Sequence, residues 1–156
     1  MAVCGSLAEL GARFALAGDL FDHYLNAYLH HFAVDVTKLA VSKLGHYQAA
    51  IGPYPAWPEL QEATQRIRVA LGSTPNDPLY RFGGMFDETK YDFEQKSGGR
   101  YEIVVGSTAD YAWRQELGDG RTPPRPWLAP AMWAWTQHIE EELCAVLDDA
   151  LRAAFG

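Results

Sequence analysis

The chain has 156 residues, 48% of them hydrophobic, and a formal net charge of −7. A chain of this length buries roughly 70% of the surface that its unfolded form exposes, so one core forms without disulfides or metals. The acidic balance argues against a protein that wraps nucleic acid, because Lys and Arg supply the affinity for phosphates. Cys4 and Cys144 are isolated thiols, which suits a reducing cytoplasm. No long apolar run or basic leader is present, so we expect neither a membrane span nor export.

The first third of the chain predicts helices. Apolar residues recur at steps of three and four, which predicts an amphipathic helix over residues 19–44. Gly18 marks its start and Gly45 its end. Residues 3–17 predict a shorter, separate helix before it.

The middle of the chain predicts one more helix and a hairpin. Residues 58–71 begin at a proline and end before a glycine, as a modest helix does. Residues 89–94 and 101–105 each alternate between apolar and polar side chains, as half-buried strands do. The Ser-Gly-Gly sequence at 97–99 between them predicts a tight turn, so the two strands form an antiparallel hairpin.

The last predicted element is a helix from residue 127 or 130 to residue 154. Its predicted buried stripe consists of Met132, Trp135, Ile139, Leu143, Val146, Leu147 and Leu151. Five carboxylates accompany a single arginine in residues 126–156. They form either a solvated helix face or an acidic lining that repels DNA passing through a ring.

Together these elements predict a single α+β domain over residues 1–156, with residues 1–50 helical. We expect a small antiparallel sheet of about four strands. The long N-terminal helix and the C-terminal helix should pack mainly on one face of that sheet.

Residues 111–131 contain the most specific motif. An alternating strand is followed by Tyr111, by the Glu116-Leu117-Gly118 triplet, and then by a Pro-Arg-Pro-Trp-Leu run at 124–128. Pro130 and Ala131 then open the last helix. Fainter motifs lie upstream, in Trp-Pro-Glu-Leu at 57–60 and in the Pro-Leu run that begins residues 78–89.

This order of motifs resembles the head-tail joining and tail-completion proteins of long-tailed bacteriophages, with features of the Mu-like virion morphogenesis branch. The resemblance covers residues 78–156 best. Its structural signature comprises Tyr111, Glu116, Gly118, Pro124, Arg125, Pro126, Trp127, Leu128 and Pro130.

The signature residue types suggest architectural roles. The prolines restrict φ and remove donors, which forces an extended segment into a helix start. Arg125 projects a five-donor fork from a stiff backbone, suited to Glu116 or to carbonyls at the end of the short segment before it. Trp127 and Leu128 should then anchor the last helix to the sheet.

The resemblance implies a structural virion protein without a reaction or a cofactor. Such a protein forms a ring, expected to be a homohexamer, and acts as tail terminator or tail-completion protein. Its partners would be other copies of itself, the tail tube protein, and the connector, stopper or adaptor on the head side, with DNA passing through the channel without specific binding. The alternative within this class is a head-closure or adaptor component. The protein would be made in the host bacterial cytoplasm and reside in the virion.

Aromatic density agrees with an assembly role. Trp133 and Trp135 are two positions apart on the predicted last helix, about 200° around its axis, so they cannot both face one core. One of them should face a partner or a neighbouring segment. Trp113 is the third candidate for an interface, where tryptophan is favoured.

A hypothesis of another class is a small cytoplasmic metal-dependent enzyme or ligand-binding domain. His23, His30 and His31 share a predicted helix with Asp35, and His31 and Asp35 are spaced to lie on one face. Two ligands do not complete a metal site, and no zinc, nucleotide or nucleophile motif accompanies them. These histidines are therefore expected to be structural or surface residues.

Overall fold

The structure, a computed structural model, describes residues 6–156. Cys4 and the start of the predicted helix over residues 3–17 lie outside this range. Six helices and two strands follow in chain order: α1 Leu7–Ser42, α2 Glu62–Ala70, α3 Gly84–Glu88, β1 Thr89–Lys96, β2 Arg100–Ser107, α4 Ala112–Leu117, α5 Leu128–Thr136 and α6 Ile139–Phe155. The α+β class, the long N-terminal helix and the C-terminal helix are as predicted.

The first helix is one continuous element, so the predicted division at Gly18 is wrong. Ser6 caps α1 by accepting the Glu9 backbone N–H at 3.1 Å, in a Ser-x-x-Glu sequence typical of helix starts. Gly18 is exposed within the helix, where a glycine costs about 1 kcal/mol relative to alanine. Packing of α1 against α6 offsets this cost, with Ala17 and Ala154 both buried.

The predicted hairpin is confirmed. β1 pairs with β2 in antiparallel register, from Thr89 opposite Ser107 to Lys96 opposite Arg100. The hairpin packs on α1, where the Tyr101 hydroxyl donates to the Asp22 carboxylate at 2.6 Å.

The prediction of about four strands is not confirmed. Within residues 6–156 the sheet consists of β1 and β2 alone. The proline- and glycine-rich residues 51–61 form one isolated bridge, between Ile51 and Tyr54, because proline removes ladder donors. The two principal helices therefore do not share one sheet face. Instead, α1 lies between the hairpin and α6.

The helix predicted over residues 58–71 begins later, at Glu62. Carbonyls at the start of that range bond to the side chain of Arg125, so they do not accept helical N–H groups. The helix ends at Ala70, close to the predicted end.

The predicted single last helix is divided into α5 and α6. Side chains of Thr136 and Gln137 both donate to the Trp133 carbonyl, at 2.9 and 3.3 Å, and thereby compete with the helical backbone bond. The predicted buried stripe is also wrong in part, because Leu147 and Leu151 are exposed while Ala150 and Ala154 are buried. Small alanines allow α6 to approach α1 closely, which rotates the leucines outward.

The main core cluster combines α1 with the loops and short helices that follow it. Its buried members are Phe32, Val36, Ala40, Leu44, Trp57, Met85, Ala109, Ala112, Trp127 and Ala131. Among the helices of residues 6–156, none combines the length and apolar character needed to cross a membrane.

Candidate functional site

Arg125 joins two of the motif segments. Its side chain is only 4% exposed, and its guanidinium donates to the Pro58 carbonyl through Nε at 3.2 Å and Nη2 at 2.9 Å. Nη2 also donates to the Glu59 carbonyl at 3.2 Å. The guanidinium thus binds backbone carbonyls, which was one of the two predicted kinds of partner. These carbonyls belong to the upstream Trp-Pro-Glu-Leu segment. The predicted partners, Glu116 and the end of the short segment before Arg125, were wrong. Burial lowers the pKa of this guanidinium, and Tyr47 acts in the opposite direction.

Glu116 has a different partner from the predicted arginine. Its carboxylate accepts the backbone N–H groups of Trp127 at 2.8 Å, Leu128 at 3.2 Å and Ala129 at 2.8 Å. These donors have no partner within the first turn of α5, so Glu116 caps this helix from a distant position in the chain. Trp127 occupies the N-cap position of α5, but its own side chain makes no capping hydrogen bond.

Two tryptophans complete the connection between segments. The Trp57 indole Nε1 donates to the Pro126 carbonyl at 2.9 Å in the interior. Trp127 is 0% exposed and lies in the same core cluster, as expected for an anchor of α5. Pro130 is buried beside it in the helix, and Leu128 packs against the cluster.

Gly118 is required by the turn that follows α4. Its φ is 75°, in the region that favours glycine, and an added Cβ would lie 2.9 Å from the Thr122 carbonyl oxygen and 3.1 Å from Pro124 Cδ. The Asp119 carboxylate accepts the backbone N–H groups of Thr122 and Arg121, which lowers its pKa. This turn directs the chain from α4 back to Arg125.

A cavity of about 690 Å³ opens where the motif segments meet. Its walls come from the ranges 58–68, 79–85 and 111–125. These ranges overlap all three stretches on which the family resemblance rests. Tyr111 lines the cavity, and burial raises its pKa, with Glu88 and Asp110 contributing.

The three candidate interface tryptophans occupy different environments. Trp135 packs against the core, with its ring centroid 5.9 Å from that of Phe32. Trp133 faces the loop around Gly52, where an added Cβ would overlap its indole. The two side chains therefore contact different parts of the chain, Trp135 the core and Trp133 a neighbouring segment. Trp113 is 53% exposed, so it is the strongest of the three interface candidates.

The predicted histidine set does not converge. His23, His30 and His31 are all exposed on α1, and the His30 ring contacts those of Tyr91, edge-on, and Phe93, with centroids 5.7 and 5.1 Å away. In the part of the chain that the structure describes, no three His, Cys, Asp or Glu side chains are placed to share a metal ion. His30 therefore has a packing role on the hairpin.

Arg68 is a buried residue that the sequence did not single out. Its guanidinium donates to the carbonyls of Thr74 and Asp77, each at 2.8 Å, and to that of Tyr80. Burial lowers its pKa, which Asp77 opposes. Its position on α2 offered no local signal, because the three carbonyls belong to a loop whose path is set by tertiary packing.

Replacing Glu116 with glutamine should lower the free energy of unfolding by about 1 to 2 kcal/mol, the cost of losing a helix cap. Glutamine keeps one acceptor oxygen, but its NH2 group would face a backbone N–H that the second carboxylate oxygen of Glu116 now accepts. Chemical denaturation monitored by circular dichroism measures this change.

Glu62→Gln is the matched control, since it removes the same charge from an exposed i,i+4 pair with Arg66. We expect its effect to stay below about 0.5 kcal/mol. Equal effects of the two substitutions would contradict the capping role of Glu116.

Comparisons of the chain with protein-family models, with curated proteins and with solved structures gave no match. The phage resemblance therefore rests on the motif residues themselves. In the fold these residues contact one another directly, through Arg125, Glu116 and Trp57.

Proposed function

We propose that this protein is a structural subunit of the neck of a long-tailed bacteriophage. It forms a ring, a homohexamer, and acts as tail terminator or tail-completion protein between the tail tube and the head connector. It is made in the bacterial cytoplasm and ends in the virion. DNA passes through the ring without specific binding.

One observation supports this function above the others. Two of the motif segments that resemble the family are far apart in the chain, yet Arg125 of one donates to the Pro58 and Glu59 carbonyls of the other. The Trp57 indole also donates to the Pro126 carbonyl, so two side chains join these two segments. Within the later segment, Glu116 caps the helix that begins after Trp127. The convergence supports a shared architecture, in which these residues hold the fold and perform no reaction.

The surface is also suited to an assembly. Several large apolar side chains are exposed, among them Leu7, Phe14, Phe82, Trp113 and Leu117. Of these, Trp113 is of the type favoured at protein interfaces. The net charge of −7 suits a channel along which DNA slides without adhering.

Deleting the gene from its phage should leave DNA-filled heads and tails that fail to join, because the protein acts by occupying surface on two neighbours. Electron microscopy of lysates measures this result. Tails of uncontrolled length would identify the terminator, whereas heads that lose their DNA would identify the head-closure alternative. Normal infectious particles would refute the proposal.

Two complementing variants separate a structural role from a chemical one. Trp113→Ala should fold but restore joining poorly, since it removes an exposed interface candidate. The double variant His31→Gln with Asp35→Asn should restore joining fully, because no metal binding or proton transfer is required of either residue. Loss of joining in a folded, ring-forming double variant would favour the metal-dependent alternative.

A further inference from the structure

The cavity between the motif segments carries a charge opposite to that of the whole chain. Four arginines line it, at positions 68, 81, 121 and 125, together with one carboxylate, that of Glu59. The chain as a whole carries −7. A positive cavity in an acidic protein favours an acidic occupant.

Two of these four arginines, Arg81 and Arg121, are available to a ligand. Arg68 and Arg125 are buried and donate to backbone carbonyls. Arg81 and Arg121 are exposed, and neither makes an ion pair within residues 6–156. Arg81 lies over the ring of Phe82, 5.3 Å from its centroid.

The cavity also has apolar walls. Phe82 is 67% exposed at its rim, and Leu79, Met85 and Pro123 contribute further apolar surface. An occupant that uses the whole cavity must therefore present aliphatic groups beside carboxylates. A small inorganic anion would leave these walls uncovered.

The outer side of α6 has this composition. At about 100° per residue, Leu147, Leu151, Glu140 and Glu141 fall within one sector of about 120°. Asp148 lies in the same sector, but its carboxylate pairs with Arg152 at 2.6 Å, so Glu140 and Glu141 are the carboxylates offered to a partner. The two leucines are 46% and 38% exposed. The carboxylates of Glu140 and Glu141 stabilise the helix N-terminus in any context, but that role does not explain the outward leucines.

We propose that this cavity of one subunit receives the outward sector of α6 from a second copy of the chain. The pairing places Glu140 and Glu141 near Arg81 and Arg121, and the leucines against Phe82. This pairing rests on the proposed ring, and it specifies the contact between subunits that closes the ring.

The geometry of the monomer agrees with such a ring. No residue of α6 lines the cavity of its own chain, because α6 packs along α1. The two surfaces are therefore different patches of one molecule. A contact between different patches is heterologous and closes into a ring when its rotation permits.

Charge exchange tests the pairing. Arg81→Glu with Arg121→Glu should weaken self-association at least about tenfold, since like charges then face each other. Glu140→Arg with Glu141→Arg should weaken it similarly. An equimolar mixture of the two double variants should associate again, because it pairs reversed cavities with reversed helices. Analytical ultracentrifugation and native mass spectrometry measure the species formed.

The control is Lys90→Glu with Arg100→Glu, which makes the same change in net charge at exposed positions outside the cavity. It should associate like the unmodified protein. If the reversed cavity variant fails to fold by circular dichroism, Arg81→Gln with Arg121→Gln provides a milder test, with a smaller loss expected.

The outcomes separate this inference from the neck function. Rings that are unaffected by cavity reversal would overturn the pairing and leave the neck function intact. Failure of the mixture to associate would show that α6 is not the occupant. A protein that stays monomeric at all concentrations would overturn self-docking, while the particle phenotype of the deletion would still decide the neck function.

Discussion

Replacing Trp127 with alanine should lower the free energy of unfolding by about 3 to 5 kcal/mol, the usual cost of emptying a buried aromatic site. The Trp127 side chain is fully buried in the main core cluster, at the first residue before α5. Its loss would remove the contact that holds this helix against α1. Urea denaturation at constant pH measures the change.

Trp113→Ala is the matched control, because the same side chain is lost from a position that is largely exposed. Trp113 retains one ring contact, with the guanidinium of Arg114 at 5.3 Å, so we expect a loss of at most about 1 kcal/mol. A Trp127→Ala effect below about 1 kcal/mol would contradict the anchoring role.

Replacing Arg125 with lysine should cost about 2 to 3 kcal/mol although the charge is kept. The planar guanidinium reaches the carbonyls of Pro58 and Glu59 together, whereas a single ammonium reaches one of them well. The other carbonyl then loses its partner in a partly buried site. Burial also disfavours the charged ammonium, as it lowers the pKa of the native guanidinium.

Arg121→Lys changes an exposed residue four positions earlier in the same loop, so it should leave the melting temperature unchanged within about one degree, since surface substitutions have small effects. Equal melting temperatures for Arg125→Lys and the unmodified protein would refute the connection between segments. Loss of the same magnitude in both variants would indicate a general sensitivity of the loop.

Local patterns in the sequence predicted the hairpin well. Alternation of apolar side chains and a Gly-Gly turn are properties of neighbouring residues, and the observed register joins Thr89 to Ser107 as those patterns require. The start of α1 was not predicted, because the prediction did not use the Ser-x-x-Glu signal at residues 6–9.

The lengths of the helices, and which face of each helix is buried, were predicted less well. Gly18 looked like a boundary because glycine weakens isolated helices, but a partner helix supplied the missing stability. Leu147 and Leu151 looked buried because they are apolar, but the smaller Ala150 and Ala154 allowed the closer approach to α1. Both differences arise from the identity of the neighbouring helix.

The sequence by itself determined the α+β class, the hairpin, the proline-directed start of α5 and the acidic character of the chain. Only the tertiary structure decided the partners of Arg125 and Glu116, and the cavity that Arg125 lines. The physical reason is that periodicity and turn chemistry act over a few residues. A buried polar group instead takes whichever partner the fold brings within about 3 Å, here a carbonyl 67 residues away.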